Sequence, residues 1–173
     1  QIPITVNNQT GKPSFEPRPW YFFPRIKEHY NHRITKNVSP IRTLFPSSLD
    51  TVKADGNVKK SFLLKSSQYS RTLGVPVRVS LDMVSRPPDP ALFNEGSQNI
   101  SVLLEGKFES NFNNRIPQQF VMNKEIDFKA YSDSTKQIVV SDGDIIRNYV
   151  KVRGERKEPF LLGADRYYNS QFT

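Results

Sequence analysis

The sequence predicts an α/β protein, a strand-rich partial sheet with few short helices, and three observations predict it. Thirteen prolines and eight glycines among 173 residues interrupt long helices and favour turns and strand edges. Three apolar runs of strand length, FLL (62–64), SVLL (101–104) and IVV (138–140), each end in polar residues. The last of them continues through Asp142-Gly143-Asp144 into Ile145-Ile146, the order of strand, tight turn and helix. Twelve Phe, seven Tyr and one Trp set the chain apart from disordered sequences. A chain of this length forms one domain, or most of one, and buries roughly 70% of its unfolded surface. Gln1 in place of an initiator Met suggests a processed form or an excised segment.

Residues 1–30 hold five prolines and the aromatic clump Trp20-Tyr21-Phe22-Phe23, and are expected to be an extended arm anchored by those rings, ahead of an α/β core over 31–173. Around 29–41, Asn31 is the candidate cap of a short helical turn that must end before Pro40. Pro46 interrupts a strand-like run at 43–52, which predicts an edge strand or a bulge. Asp55-Gly56-Asn57 signals a turn into the strand KKSFLLKSS. Val77, Val79, Leu81 and Met83 alternate with polar residues, the period of a half-buried strand over 75–84. Residues 86–96 form a proline-led loop with at most one helical turn. Ile100, Val102, Leu103 and Leu104 make a near-continuous apolar run, the mark of a strand covered on both faces. A polar hairpin is expected at 120–135, and Ile145, Ile146 and Tyr149 are expected on one helical face.

Charge and composition exclude more than they select. The net charge is +8, and residues 1–60 carry ten Lys and Arg against four Asp and Glu, a balance of +6. The longest basic run is only Lys59-Lys60, so the pattern describes a solvated basic face and gives little support to a nucleic-acid binder. With no cysteine there is no disulfide, thiolate metal site or cysteine nucleophile. No apolar run approaches the roughly 20 residues needed to span a bilayer.

Ligands of open α/β sheets sit beyond the carboxyl ends of the strands. If the three apolar strands are parallel neighbours, Ser66, Ser67, Glu105, Lys107, Asp142 and Asp144 line one rim. Glu105 and Lys107 share a face if the strand continues, where an ion pair is the simplest reading. Asp142-Gly143-Asp144 starts like a calcium loop, but the twelfth position is Arg153 where a Glu is needed, so N-capping by one of the two carboxylates explains the pair more cheaply. His29 and His32, the only histidines, lack carboxylate or thiolate company and are expected on the surface rather than on a metal. A paired-carboxylate hydrolase needs Glu105 and Asp142 to converge, and the sequence by itself leaves that open.

The order of the segments WYFFP, HRITKNVSPI, FPSSLDTV, KKSFLLKSSQYSR, SVLLEGKFESNFNNR and QIVVSDGDIIRN resembles the GldG family. These are auxiliary, substrate-binding-like components of ABC transporters linked to gliding motility in Bacteroidetes. The resemblance runs from Trp20 to Tyr168, and its most specific parts are LLEGKF with Arg115 and the segment Val140 to Asn148. At His32-Arg33-Ile34 the chain departs from the family's usual His-Pro-Ile. The resemblance implies an extracytoplasmic domain or domain fragment at the periplasmic face of the inner membrane, anchored by transmembrane segments outside this chain, beside permease and ATPase subunits. It implies a fold similar to part of a class I glutamine-amidotransferase-like domain. Enzymes of that fold use a cysteine, absent here, so the implied role is binding or coupling, without catalysis and without a cofactor. Arg115 and Asn148 then join the six rim residues as candidate binding residues. The alternatives are a degenerate hydrolase using Glu105, Asp142 or Ser66, and, on net charge alone, a nucleic-acid binder.

Overall fold

A computed structural model describes residues 2–7, 13–52, 58–147 and 149–160. The expected turn at 55–57, candidate Asn148 and the tail beyond residue 160 lie outside the described residues.

The chain is strand-rich, with few short helices, as its prolines and apolar runs predict. Its centre is a four-stranded sheet of order β4-β6-β7-β8, from Glu28–His29 (β4), Val58–Lys65 (β6), Asn99–Gly106 (β7) and Thr135–Val140 (β8). Three two-stranded ladders accompany it. Ile2–Asn7 (β1) pairs with Pro13–Arg18 (β2), Arg25–Ile26 (β3) with Ile41–Arg42 (β5), and Val150–Arg153 (β9) with Arg156–Pro159 (β10). The proline-rich arm is therefore partly a hairpin. Gly154 turns the last hairpin at φ +60, a conformation that glycine adopts without a Cβ clash.

β7 is the covered strand that its apolar run predicts, with Ile100, Ser101, Val102 and Leu103 buried in succession. A period-2 strand aims successive side chains at opposite faces, so this run requires cover on both. Two register shifts bring a compact core out of it. Between Phe62 and Leu64 on β6 the partner residues advance by one, leaving Leu63 as the extra residue. Between Leu64 and Lys65 the opposite happens, and Ile100 is the extra residue on β7. Bulges re-aim side chains, and both residues belong to the cluster Ile26, Leu63, Leu64, Ile100 and Leu103, against which Ile41 and Ile145 pack.

Every pair in the central sheet is antiparallel. This corrects the condition on which the single rim depended. Hairpin-like pairing needs no helical crossover between neighbours, whereas parallel pairing would, and the described segments between these strands carry only short helical turns.

Several local expectations are also revised. Residues 75–80 form no strand, and 81–84 form a 3-10 helix capped by Ser80, whose Oγ accepts from the Asp82 N–H. Val75, Val77, Val79 and Leu81 are exposed, because alternation makes a strand only where another strand edge receives it. Residues 120–135 hold no hairpin. Gln118–Val121 is a one-turn helix (α1) followed by turns, and only a single bridge, Glu109 to Tyr131, pairs the region back. His32, not Asn31, closes the turn at 32–35, its Nδ1 accepting from the Ile34 N–H at 3.2 Å. Residues around Pro46 form no strand either. The Ser47 and Leu49 N–H groups donate to Ser141 and Asn99 carbonyls, laying that segment across the end of the sheet. The proline-led loop does contain its one turn, Pro90–Leu92, capped by Asp89.

Candidate functional site

Antiparallel pairing divides the expected rim between two ends of the sheet. Lys65 pairs with Asn99, and Ser101 with Val140, so Ser66, Ser67, Asp142 and Asp144 share one end. Glu105 pairs with Lys59 and Lys136 at the other end, where Lys107 and, farther along, Arg115 follow. Glu105 lies six residue steps along β7 from Asn99, about 20 Å at the rise of an extended strand. Glu105 and Asp142 therefore do not converge as the two carboxylates of a glycosidase-type site must, at roughly 5–10 Å.

At the first end the polar groups serve the fold. Ser66 Oγ donates to the Ser67 carbonyl at 3.0 Å and accepts from the Gln98 N–H at 2.8 Å. Ser67 Oγ accepts from the Tyr69 N–H, a local turn that competes with continuation of the strand. Asp142 is only 4% exposed, and both its oxygens are used. Oδ1 accepts from the Asp144 N–H at 2.8 Å, capping a 3-10 helix over Gly143–Ile146, and Oδ2 accepts from the Leu44 N–H at 2.7 Å. The expected cap is present, but the helix ends at Ile146, which is 88% exposed, while Ile145 turns inward to the core. Asp144 faces outward and pairs with Arg147 at 3.3 Å.

Asp142 also steadies an aromatic cluster. Leu44 precedes Phe45, which sits at φ +51, a left-handed conformation unusual for a bulky residue. The Phe45 N–H donates to the Phe22 carbonyl at 2.7 Å, and the Phe45 ring stacks on Phe22 and meets Phe23 edge-on. Phe22 and Phe23 thus anchor against the loop from β5, Tyr21 packs on Phe93 instead, and Trp20, against Phe22 and Phe23, is the buried member.

The second end answers why Glu105, Gly106 and Lys107 stand in a row. Glu105 bonds Lys136 at 2.6 Å, and Lys107 is not its partner. The Ser141 N–H donates to the directly opposite Ile100 carbonyl, which fixes the alternation along β7 and β8. Glu105 and Lys136 then form a non-hydrogen-bonded pair, the kind that brings side chains closest. Gly106 follows at φ +151, outside the range of ordinary L-residues, and the chain leaves the strand there. Lys107 is consequently exposed, beside Gly106, Tyr131 and Ser134, at a shallow, open depression of about 490 Å³. Arg115 is exposed at the end of the 111–115 turn.

The Glu105 carboxyl is held below its ordinary value, chiefly by the Lys136 hydrogen bond and further by the charges of Lys136 and Lys59, while desolvation opposes them. A depressed folded-state value contributes stability that is present above the unfolded value and lost as pH falls through the folded one. Glu105→Gln is therefore expected to lower the neutral plateau of a Tm-against-pH curve slightly, because this pair faces solvent, and to leave the acid end, where Glu105 is protonated, nearly unchanged, so that the acid limb flattens. An unchanged acid limb would remove Glu105 from the account.

Lys136 was not legible as the partner of Glu105, since only strand register places it there. Lys136 and Lys59 flank the Glu105 carboxylate, and exposed Lys107 follows beyond Gly106 at the same end, a cationic surface suited to an anionic partner. Among the described residues no three His, Cys, Asp or Glu side chains gather as a metal site, and no helix is long and apolar enough to cross a membrane.

Comparison with known proteins places the chain more directly than its geometry does. No match is found among curated proteins or among solved structures. The model of one family, described as an ABC-type uncharacterized transport system, matches residues 1–173. The chain, strand-rich and with its candidate polar groups divided between two ends of an antiparallel sheet, belongs to that ABC-type transport system family.

Proposed function

We propose that this chain is a non-catalytic, extracytoplasmic module of an ABC transporter's auxiliary component, linked to gliding motility, that binds a ligand or couples to permease and ATPase subunits. The whole-chain match to the transport-system family carries this reading. The site geometry supports it. Ser66 and Asp142, the groups a hydrolase would use at the first end, are committed to holding backbone in place. Glu105, at the second end, is ion-paired about 20 Å away along the strand. The lysine-bearing end, with exposed Lys107, is then the surface for an acidic partner or ligand, and Arg115 extends it. The periplasmic face of the inner membrane is the proposed location.

The test is a crosslinking pull-down of the tagged chain against solubilised membranes of its source. Recovery of an ABC permease or ATPase is expected, and Lys107→Glu should reduce it while Ser66→Ala, a structural change at the far end, should not. Recovery of the chain alone would overturn the reading.

A further inference from the structure

The chain leaves β4 antiparallel to β6 and runs toward that strand's first residues. Glu28 and His29 pair with Lys65 and Leu64, and the Tyr30 N–H donates to the Leu63 carbonyl at 3.0 Å. A double turn follows. The Thr35 N–H donates to the His32 carbonyl and the Val38 N–H to the Thr35 carbonyl, while the buried Thr35 hydroxyl ties the turn back to the Tyr30 carbonyl. Arg33 and Lys36 are exposed on this turn, and the apolar Ile34 and Val38 beside them are 49% and 41% exposed. After the Lys136 hydrogen bond and the charges of Lys136 and Lys59, His32 also lowers the Glu105 carboxyl, so the turn stands near it. The double turn thus brings two further cations to the lysine-bearing end of the sheet. Residues 25–42 carry five Lys and Arg against one carboxylate, Glu28, which pairs with Lys65 at 3.8 Å. Among the described residues no carboxylate is ion-paired with Arg33, Lys36 or Lys59. Glu109 and Asp133 lie beyond Gly106, on the extension of the β7–β8 pair.

We propose that the end of the sheet carrying Arg33, Ile34, Lys36 and Lys59 docks on an anionic lipid surface. Arg33 and Lys36 repel each other across one turn, and a plane of phosphates attracts both at once. Their long stems reach that plane while shorter apolar neighbours dip below it. Ile34 and Val38 gain nothing from a nucleic-acid backbone, but between basic side chains they fit the boundary of headgroups and acyl chains. Charge complementarity and exposed aliphatic groups in one turn thus favour lipid over other polyanions. The inference goes beyond the coupling reading and does not rest on it, since its failure leaves recovery of a permease untouched.

The experiment measures sedimentation of the chain with vesicles of phosphatidylcholine alone and of phosphatidylcholine with an equal part of phosphatidylglycerol. The expected result is binding to the anionic vesicles only, lost in about 1 M salt, where the screening length falls to about 3 Å. Arg33→Gln combined with Lys36→Gln should weaken it about 25-fold, at roughly fivefold per basic side chain. Ile34→Ser should weaken it about threefold, through lost apolar contact. Arg71→Gln combined with Arg86→Gln, in the exposed segment between β6 and β7, removes the same charge and should change binding by less than about twofold. All five positions are exposed, so each variant keeps its fold, which a circular dichroism melt verifies. Equal losses for the two double variants would reduce the effect to net charge and overturn the proposal. So would equal binding to neutral vesicles, or binding to neither. Capture of a polyglutamate peptide without vesicle binding would also overturn it, and assign the face to an acidic protein.

Discussion

Asp142→Ala is expected to destabilise the protein by about 2–4 kcal/mol, a large effect for one carboxylate. The residue is 4% exposed and accepts from two backbone N–H groups at 2.7 and 2.8 Å. Loss of the cap alone costs about 1 kcal/mol in typical helices. The bond to the Leu44 N–H is charge-assisted, worth about 1.5–3 kcal/mol, and its removal also strands a part-buried donor. That donor lies next to Phe45, whose left-handed backbone needs its neighbours to hold it. The effect should therefore spread to the aromatic cluster of Phe22, Phe23 and Phe45, and be visible in near-UV circular dichroism as well as in the urea midpoint. Asp142→Asn keeps an acceptor for one N–H and should fall between. Asp144→Ala, which removes only a surface pair with Arg147, should change stability by less than about 1 kcal/mol. Equal effects at 142 and 144 would mean that the bond to Leu44 does not hold the loop.

Leu103→Ala should cost about 2–5 kcal/mol, the range for a leucine emptied from a packed core. Leu103 is 3% exposed and, among the described residues, sits in a cluster of five buried apolar side chains. The total stability of a domain is commonly only about 5–15 kcal/mol, so this loss is a large share of it. Val79→Ala is the informative contrast. Val79 belongs to an alternating apolar pattern, yet it is 43% exposed and lies in no strand. It should change stability by no more than about 0.5 kcal/mol. Urea unfolding of the two variants checks both, and comparable losses would mean that residues 75–80 pack in solution where the structure leaves them open.

These two residues also show where sequence reading succeeds. Leu103 lies in an unbroken apolar run, and a run of that kind is intolerable in water unless both faces are covered. Asp142 precedes a glycine and a short apolar turn, and its capping of that turn is a contact between near neighbours in the chain. The Pro90–Leu92 turn, with Asp89 before it, was legible for the same reason. The residues at 75–84 carried an equally regular signal and misled, because period two states which side chains would share a face and says nothing about whether a partner strand exists.

The candidate rim was legible as a set of residues and not as a place. Ser66, Glu105 and Asp142 each mark the end of an apolar run, which the sequence by itself determined, since burial preference is a property of each residue and its near neighbours. Which ends lie together depends on strand direction, and antiparallel pairing put Ser66 and Asp142 at one end of the sheet, on either side of β7, and removed Glu105 to the far end. The choice of Lys136 over Lys107 as the partner of Glu105 and the bulges that turn Leu63 and Ile100 into the core were likewise decided only by the tertiary structure. Each is a matter of register, a contact between residues tens of positions apart, and a one-residue slip would reverse it without changing a single local preference.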